Sequence, residues 1–155
     1  MAGLTREFVF RPWVRRAGLS IVLVAAGATA TMAWIGERAV WLYLITLWIG
    51  GLKVFLGTFR PIAEIGERTL VLRPLHHLRA RVVEWSNVRG TEQMTGGDRL
   101  IVYFDTPRGM RFTALNLNLV KGRREFLSML DERLLAMGFV EKTVERSRYL
   151  TRADS

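Results

Sequence analysis

Cysteine is absent from this chain of 155 residues, proline occurs four times and histidine twice. Without cysteine the protein has neither disulfides nor thiolate metal sites, so its fold must rest on packing or on a lipid bilayer. Acidic residues are few beside basic ones, 14 against 23, which gives a formal net charge of +9. This balance favours a negatively charged neighbour such as anionic lipid, nucleic acid or an acidic protein face.

Charge is nearly missing from one long segment of the chain. From Ala17 to Phe59 the only charged side chains are Glu37, Arg38 and Lys53. The mean hydropathy of +0.15 coexists with 24% charged residues because the apolar residues concentrate before position 60 and most of the charges after it. The sequence therefore divides into an apolar segment and a charged domain.

The apolar segment contains two stretches of helix length, residues 17–35 and 39–59, joined by "GER" at residues 36–38. Each stretch spans about 30 Å as a helix, which is the thickness of a bilayer hydrocarbon core. A secretory signal peptide would be followed by a polar mature chain, whereas here a second apolar stretch follows at once. The pattern predicts a transmembrane helical hairpin.

Aromatic residues lie where a membrane–water interface would hold them. We expect four residues to form the interfacial belt of the hairpin: Trp13, Trp34, Trp41 and Tyr43. Glycines would let the helices approach closely, either within the hairpin or against a further membrane subunit. The helix-packing candidates are Gly18, Gly27, Gly50 and Gly57.

Basic residues flank the hairpin on one side. Residues 1–16 form a basic N-terminal arm with four arginines and one glutamate, and further arginines follow residue 59. The positive-inside rule then places both termini of a two-pass membrane protein in the cytoplasm. Lys53 lies close enough to the cytoplasmic side for its ammonium group to reach the headgroups; an ion pathway is the alternative.

Residues 60–138 have the pattern of a small antiparallel β domain. Five runs rich in Val, Leu, Ile, Phe and Thr are separated by turn signals: residues 67–73, 79–85, 87–94, 99–106 and 110–117. In the fourth run, alternation predicts that Leu100, Val102 and Phe104 share one face, and Ile101 and Tyr103 the other. We expect five or six strands in a meander.

A helical period replaces the strand pattern after residue 118. Leu119, Phe126, Leu130, Leu134 and Met137 recur at helical spacing, which predicts an amphipathic helix. Asn118 is the expected N-cap and Gly138 the left-handed residue that ends the helix. Residues 139–155 are a charged C-terminal tail, for which an extended conformation or a peripheral strand and helix are both open.

Three segments resemble bacterial pleckstrin-homology-like (PH-like) domains that follow a two-helix membrane hairpin. They are "ERTLVLR", "VVEWSNVRGTE" and "LIVYFDTPRGMRFTAL" followed by "GRREFLSMLDERLLAMG". The resemblance covers residues 62–138 and implies a membrane-anchored α+β fold, in which a small sheet or partial barrel is capped by a C-terminal amphipathic helix. The smaller number of strands departs from the seven of that family and weakens any inference about a ligand pocket.

Catalytic and metal-binding patterns are missing from the sequence. His76 and His77 are adjacent, so on a strand they point to opposite faces, and no cysteine or carboxylate pair accompanies them. No G-x-S-x-G motif is present, and "GTEQMTGGD" lacks the Lys–Ser/Thr of a phosphate-binding loop. We expect a protein that is not an enzyme and that needs no metal or cofactor.

Arginine is the remaining signal. Residues 60–155 contain seventeen basic and twelve acidic residues. The candidate contacts to anionic lipid or to a partner are Arg11, Arg15, Arg16, Arg60, Arg73, Arg79, Arg81, Arg123 and Arg124. Nucleic acid is not expected as a partner, because aromatic platforms and recognisable binding motifs are lacking.

Two functions fit these observations. In the first, the chain is a noncatalytic accessory or assembly subunit of a larger integral-membrane complex, which docks through its hairpin and its arginine-rich domain. In the second, it is a membrane-tethered PH-like module that binds anionic lipid headgroups or a peptide, with a basic pocket near Arg73 and Arg79. The sequence does not identify the complex and leaves association between copies open.

Overall fold

The computed structural model describes residues 5–35, 41–74, 79–94, 98–144 and 147–152. It divides into two compact units: a helical unit, Phe10–Arg60, and a sheet unit made of Met1–Val9 and Pro61–Ser155. The described elements are three helices and two antiparallel sheets, so the protein is a mixed α+β protein.

The helical unit consists of α1 (Pro12–Ile35) and α2 (Trp41–Gly57). At 1.5 Å per residue these helices are about 36 Å and about 26 Å long. α1 begins within the segment that the sequence assigned to the basic arm. The predicted turn at residues 36–38 lies outside the described residues, as does the side chain of Tyr43.

Close contacts join the two helices. A Cβ on Gly18 would lie 3.1 Å from the backbone N and Cα of Phe55, and one on Gly51 would lie 2.8 Å from Cγ2 of Ile21. The indole N–H of Trp48 donates to Oγ1 of Thr29 at 3.0 Å. These contacts need small residues at two positions, because a side chain there would push the helices apart.

The sheet unit begins with a four-stranded sheet in the order β1-β2-β3-β4. Its strands are β1 (Arg6–Phe8), β2 (Ala63–Ile65), β3 (Thr69–Leu72) and β4 (Arg81–Glu84). Part of the segment that the sequence assigned to the N-terminal arm is therefore an edge strand, in which Phe8 pairs with Ala63. The sequence does not predict β1 and β2, because each strand has only three residues.

A five-stranded sheet follows in the order β7-β6-β5-β9-β8. Its strands are β5 (Val88–Met94), β6 (Arg99–Thr106), β7 (Gly109–Asn116), β8 (Phe139–Val144) and β9 (Ser147–Arg152). Residues 60–138 contain six described strands, β2 to β7, as the sequence predicts. The prediction of a single meander was wrong, because these strands divide between two sheets, which β1, β8 and β9 complete. Neither sheet closes into a barrel across the described residues.

The break between the sheets falls at Trp85. This residue opens a 3₁₀ turn, Trp85–Asn87, and is 4% exposed. Its indole N–H donates to the carbonyl of Gly66 at 2.9 Å, and its backbone N–H donates to the carbonyl of Arg68 at 3.0 Å. The buried ring thus fastens the end of β4 to the β2–β3 turn, and the chain leaves the first sheet.

Helix α3 (Arg123–Ala136) contacts both sheets. The ring of Phe126 packs edge-on against that of Phe8 in β1, with centroids 5.0 Å apart, and Arg148 in β9 forms an ion pair with Asp131 at 2.6 Å. Phe126, Leu130 and Leu134 are completely buried, as their helical spacing predicts. The helix therefore closes the core of the sheet unit.

The ends of α3 differ in how well the sequence predicts them. Gly138 adopts a positive φ of 82° and follows the last helical turn, which confirms the predicted stop. Asn118 does not cap the start, because a 3₁₀ turn at Leu117–Leu119 and the left-handed Gly122 separate it from the helix. α3 is not the last element either: β8 and β9 follow it, and β9 pairs with β5.

Candidate docking surfaces

Most of the candidate arginines are exposed, but two are held within the sheet unit. Arg73 forms an ion pair with Glu64 and donates to the carbonyl of Pro61 at 3.0 Å. Arg123 lies 3.9 Å from a carboxylate oxygen of Asp98. The exposed candidates are Arg11, Arg15, Arg16, Arg60, Arg79, Arg81 and Arg124. Because Arg73 already binds a carboxylate, it is poorly suited to be the main cationic residue of a pocket for anionic headgroups.

Within the helical unit, Arg15 contacts an aromatic ring. Its guanidinium carbon lies 4.2 Å from the centroid of Phe59, a cation–π arrangement. Phe59 in turn packs edge-on against Phe55 at 5.2 Å. The start of α1 is thus attached to the chain that follows α2, with the charged group at the end of the helix pair.

The helical unit exposes apolar side chains over most of its surface. By length and composition, one described helix segment, Pro12–Thr31, is long and apolar enough to cross a membrane, and 17% of its apolar window is buried. The apolar part of α2, Leu44–Gly57, is shorter. Leu23, Val24 and Ile49 are each 63% exposed. Water is a poor solvent for such a surface, which needs lipid or protein around it.

Of the four glycine candidates, Gly18 lies between the helices. A Cβ on Gly27, Gly50 or Gly57 would meet nothing within 4 Å among the described residues. Gly51, which adjoins Gly50 and is not among the four candidates, makes the close contact instead. Sequence spacing cannot choose between neighbouring glycines, since the rotation of α2 about its axis decides which one faces α1.

The three described tryptophans of the predicted interfacial belt are exposed. Trp13 is 52% exposed, Trp34 92% and Trp41 38%. Trp34 and Trp41 lie at the ends of α1 and α2 that adjoin residues 36–40, and Trp13 lies in the first turn of α1. These positions are suited to an aromatic belt at each end of a membrane-spanning pair.

A second exposed surface lies on the five-stranded sheet. Residues opposite one another in antiparallel strands share a face, so the register defines two adjacent rows that cross all five strands. One row is Val140, Thr151, Gly90, Tyr103 and Phe112, and the other is Lys142, Tyr149, Glu92, Ile101 and Ala114. We call these ten residues the outer face, because Leu100, Val102 and Leu115 on the opposite face are buried in the core.

Apolar and aromatic groups dominate the outer face. Phe112 is 67% exposed and Val140 44%. The rings of Tyr103 and Phe112 are neighbours, with centroids 6.3 Å apart. The alternation in β6 placed Ile101 and Tyr103 on this side, and the burial of Leu100, Val102 and Phe104 confirms that prediction.

One carboxylate, that of Glu92, lies among these rings. Its Oε2 accepts a hydrogen bond from the hydroxyl of Tyr103 at 2.8 Å, and its Oε1 accepts from Tyr149 at 3.1 Å and from Ser147 at 3.3 Å. All three donors are neutral hydroxyls. Among the described residues no lysine or arginine forms an ion pair with Glu92. No local sequence pattern indicates this cluster, since residues 92, 103 and 149 meet only through the pairing of β5 with β6 and β9.

The cluster alters the acidity of Tyr103. The hydrogen bond to Glu92 is the main cause that raises the pKa of Tyr103 from 10.0 to about 12, and burial and the nearby negative charge act in the same direction. The phenol therefore keeps its proton and remains a donor to Glu92 at every physiological pH.

We expect a late tyrosine in an alkaline titration. Absorbance of tyrosinate near 295 nm should show Tyr103 ionising near pH 12, and Glu92→Gln should return it towards 10 by removing the charge. Because the folded-state pKa is raised, the stabilising contribution is complete below about pH 10 and is lost as the pH rises towards 12. Tyr103→Phe should remove the late transition; a late transition that survives in Tyr103→Phe would contradict the assignment.

The sheet unit also has a cleft of about 300 Å³ beside α3, where Glu67, Glu132 and Arg133 contribute its charged groups. Arg133 already donates to the carbonyl of Glu67. The cleft therefore contains two carboxylate side chains and one guanidinium group that already donates a hydrogen bond. These groups are not suited to binding an anion.

Metal ligands do not gather in the part of the chain that the structure describes. The described residues include no group of three or more His, Asp or Glu side chains placed to hold a metal ion. His76 and His77 lie outside the described residues.

In comparisons with known proteins, no family model, no curated protein and no solved structure matches this chain.

Proposed function

We propose that this chain is a noncatalytic accessory or assembly subunit of a larger integral-membrane complex, anchored by α1 and α2. The observation that carries the proposal is the exposure of apolar side chains on the helical unit. A core helix of a soluble protein would be mostly buried, whereas 17% of the apolar window of α1 is. A signal sequence would not be paired with a second apolar helix through Gly18 and Gly51.

The location that we propose is the bacterial inner membrane, with both termini in the cytoplasm. Its support is the basic flank of α1, where Arg11, Arg15 and Arg16 are exposed, together with Arg60 beyond α2. The length of α2, about 26 Å, suits a thin or locally adapted bilayer. Trp34 and Trp41 would lie at the opposite interface.

The sheet unit is proposed as a PH-like domain of modified topology. Its support is the order of elements from β3 to α3, in which antiparallel strands lead to one amphipathic helix. The β8–β9 hairpin departs from that pattern, because it follows the helix and extends the sheet through β5. A docking role is favoured over a ligand pocket, since Arg73 binds Glu64 and the outer face is exposed.

The test is native mass spectrometry of the chain extracted in mild detergent from its own membrane, without overexpression. A carbonate wash before extraction should leave it in the membrane, because an apolar helix pair resists alkaline removal. We expect co-purification with other membrane subunits in a fixed ratio. Release by carbonate would contradict anchoring by α1 and α2. Recovery of the chain alone with anionic lipid would contradict the role as a subunit and favour the lipid-binding alternative.

A further inference from the structure

We propose that the outer face binds a protein partner through one basic side chain, which contacts the carboxylate of Glu92 while apolar neighbours of that side chain pack on Ile101, Phe112 and Val140. The inference rests on the proposed function and names the chemistry of the docking partner. The contacts that carry it all lie within the five-stranded sheet.

One face of the five-stranded sheet is both apolar and exposed. The buried face of this sheet holds Leu100, Val102 and Leu115 in the core, and the outer face leaves Phe112 and Val140 to solvent. Met110 and Met94, next to the outer face, are 66% and 48% exposed. Aromatic residues and methionine are enriched where protein interfaces are buried, so this surface has the composition of a binding site.

Among the described residues, Glu92 has no basic partner for its negative charge. Six other acidic residues of the sheet unit have an arginine partner: Glu64, Asp98, Asp105, Glu125, Asp131 and Glu141. Glu92 is half-buried in a chain of net charge +9, yet in the described part of the chain its partners are hydroxyls. On the outer face, Lys142 lies two strands away in the same row, about 10 Å at the usual strand spacing. A partner's cation would supply the missing positive charge.

The carboxylate of Glu92 can accept one more hydrogen bond. A carboxylate accepts about four hydrogen bonds, and Glu92 has two at Oε1 and one at Oε2. The open position is therefore at Oε2, the oxygen that Tyr103 contacts. A cation bound there would lie beside the Tyr103–Phe112 ring pair, where cation–π attraction adds to the ionic hydrogen bond.

The residues around Glu92 indicate which class of partner would bind. The apolar residues around Glu92 need apolar neighbours of the cation to cover them, which a lysine or arginine within an apolar protein segment provides. A lipid headgroup carries an ammonium but presents it from a polar surface. A second copy of this chain that docked with the two Glu92 residues opposite each other would bring two carboxylates together, and like charges repel.

The experiment is a selection of random heptapeptides on phage against the full chain in maltoside detergent. The net charge of +9 attracts acidic peptides without specificity, so enrichment of basic peptides has to come from a specific site. We expect the wild-type selection to yield lysine or arginine between apolar residues, and Glu92→Gln to abolish that enrichment. Glu84→Gln removes the same charge from an exposed position on β4 and should keep the enrichment.

A recovered peptide is then synthesised with its basic residue unchanged or replaced by glutamine. Neutralisation should weaken binding by roughly tenfold to a hundredfold, the range of a charged hydrogen bond. Far-UV circular dichroism and thermal unfolding of Glu92→Gln should match those of the wild type, which guards against a fold defect in that variant.

Four results would overturn the inference. They are equally basic peptides from wild type and Glu92→Gln, equal affinity for the neutralised peptide, Glu92-dependent binding of phosphatidylcholine vesicles without basic peptides, and self-association that Glu92→Gln abolishes. None of them depends on membrane extraction or co-purification. A chain that fails the test of the proposed function can therefore still show the peptide preference, and the two failures are distinguishable.

Discussion

Phe126→Ala should lower the free energy of unfolding of the sheet unit by about 3–5 kcal/mol, the usual cost of deleting a large buried ring. Phe126 is completely buried in α3 and packs edge-on against Phe8 of β1. The loss combines the transfer of the ring to water, the cavity left behind and the aromatic pair. Because β1 and α3 are far apart in the sequence, this contact also fastens the first strand to the rest of the unit.

The measurement is native-state hydrogen exchange on the full chain in detergent. The exchange of the most protected amides of β6 gives the free energy of unfolding of the sheet unit. Leu135→Ala is the matched control, since Leu135 lies on the same helix and is 50% exposed. Its effect should stay within about 0.5 kcal/mol. Equal effects of the two substitutions would show that α3 does not close the core as described.

Gly51→Leu should destabilise the α1–α2 pair, by about 1–3 kcal/mol or more. A Cβ at this position already lies 2.8 Å from Cγ2 of Ile21, so a larger side chain must displace one helix. That displacement would also stretch the hydrogen bond from Trp48 to Thr29. Gly50→Leu is the adjacent control, because a Cβ at Gly50 meets nothing within 4 Å among the described residues.

The readout is thermal unfolding in maltoside, followed by helical circular dichroism. We expect a lower melting temperature for Gly51→Leu and little change for Gly50→Leu. If the order is reversed, α2 is rotated about its axis relative to the structure. The comparison tests the packing of the hairpin independently of whether a partner covers its outer surface.

Long and strongly patterned elements were predictable from the sequence. All five predicted strand runs contain a strand, and in β6 the predicted bounds and the alternation of faces match the structure. The helical spacing of Phe126, Leu130 and Leu134 also identified the buried side of α3. In both cases the pattern repeats over enough residues for burial on one face to leave a readable period.

Short and charged strands were not predictable. β1 and β2 have three residues each, too few to show alternation, and their pairing depends on distant partners. Residues 139–152 are rich in charge, and their sequence is compatible with an extended tail or with a peripheral strand and helix. They form a hairpin because β9 pairs with β5 and Arg148 joins Asp131 and Glu141. Such pairing energy comes from other parts of the chain.

By itself, the sequence determined the division into an apolar segment and a charged β-rich domain, the main strands and the buried stripe of α3, because local hydrophobic period encodes each of them. Tertiary structure alone decided which glycine faces α1, the separation into two sheets, and the meeting of Glu92 with Tyr103, Tyr149 and Ser147. Those features depend on helix rotation and strand register. Contacts between residues far apart in the chain set both, and no local pattern records them.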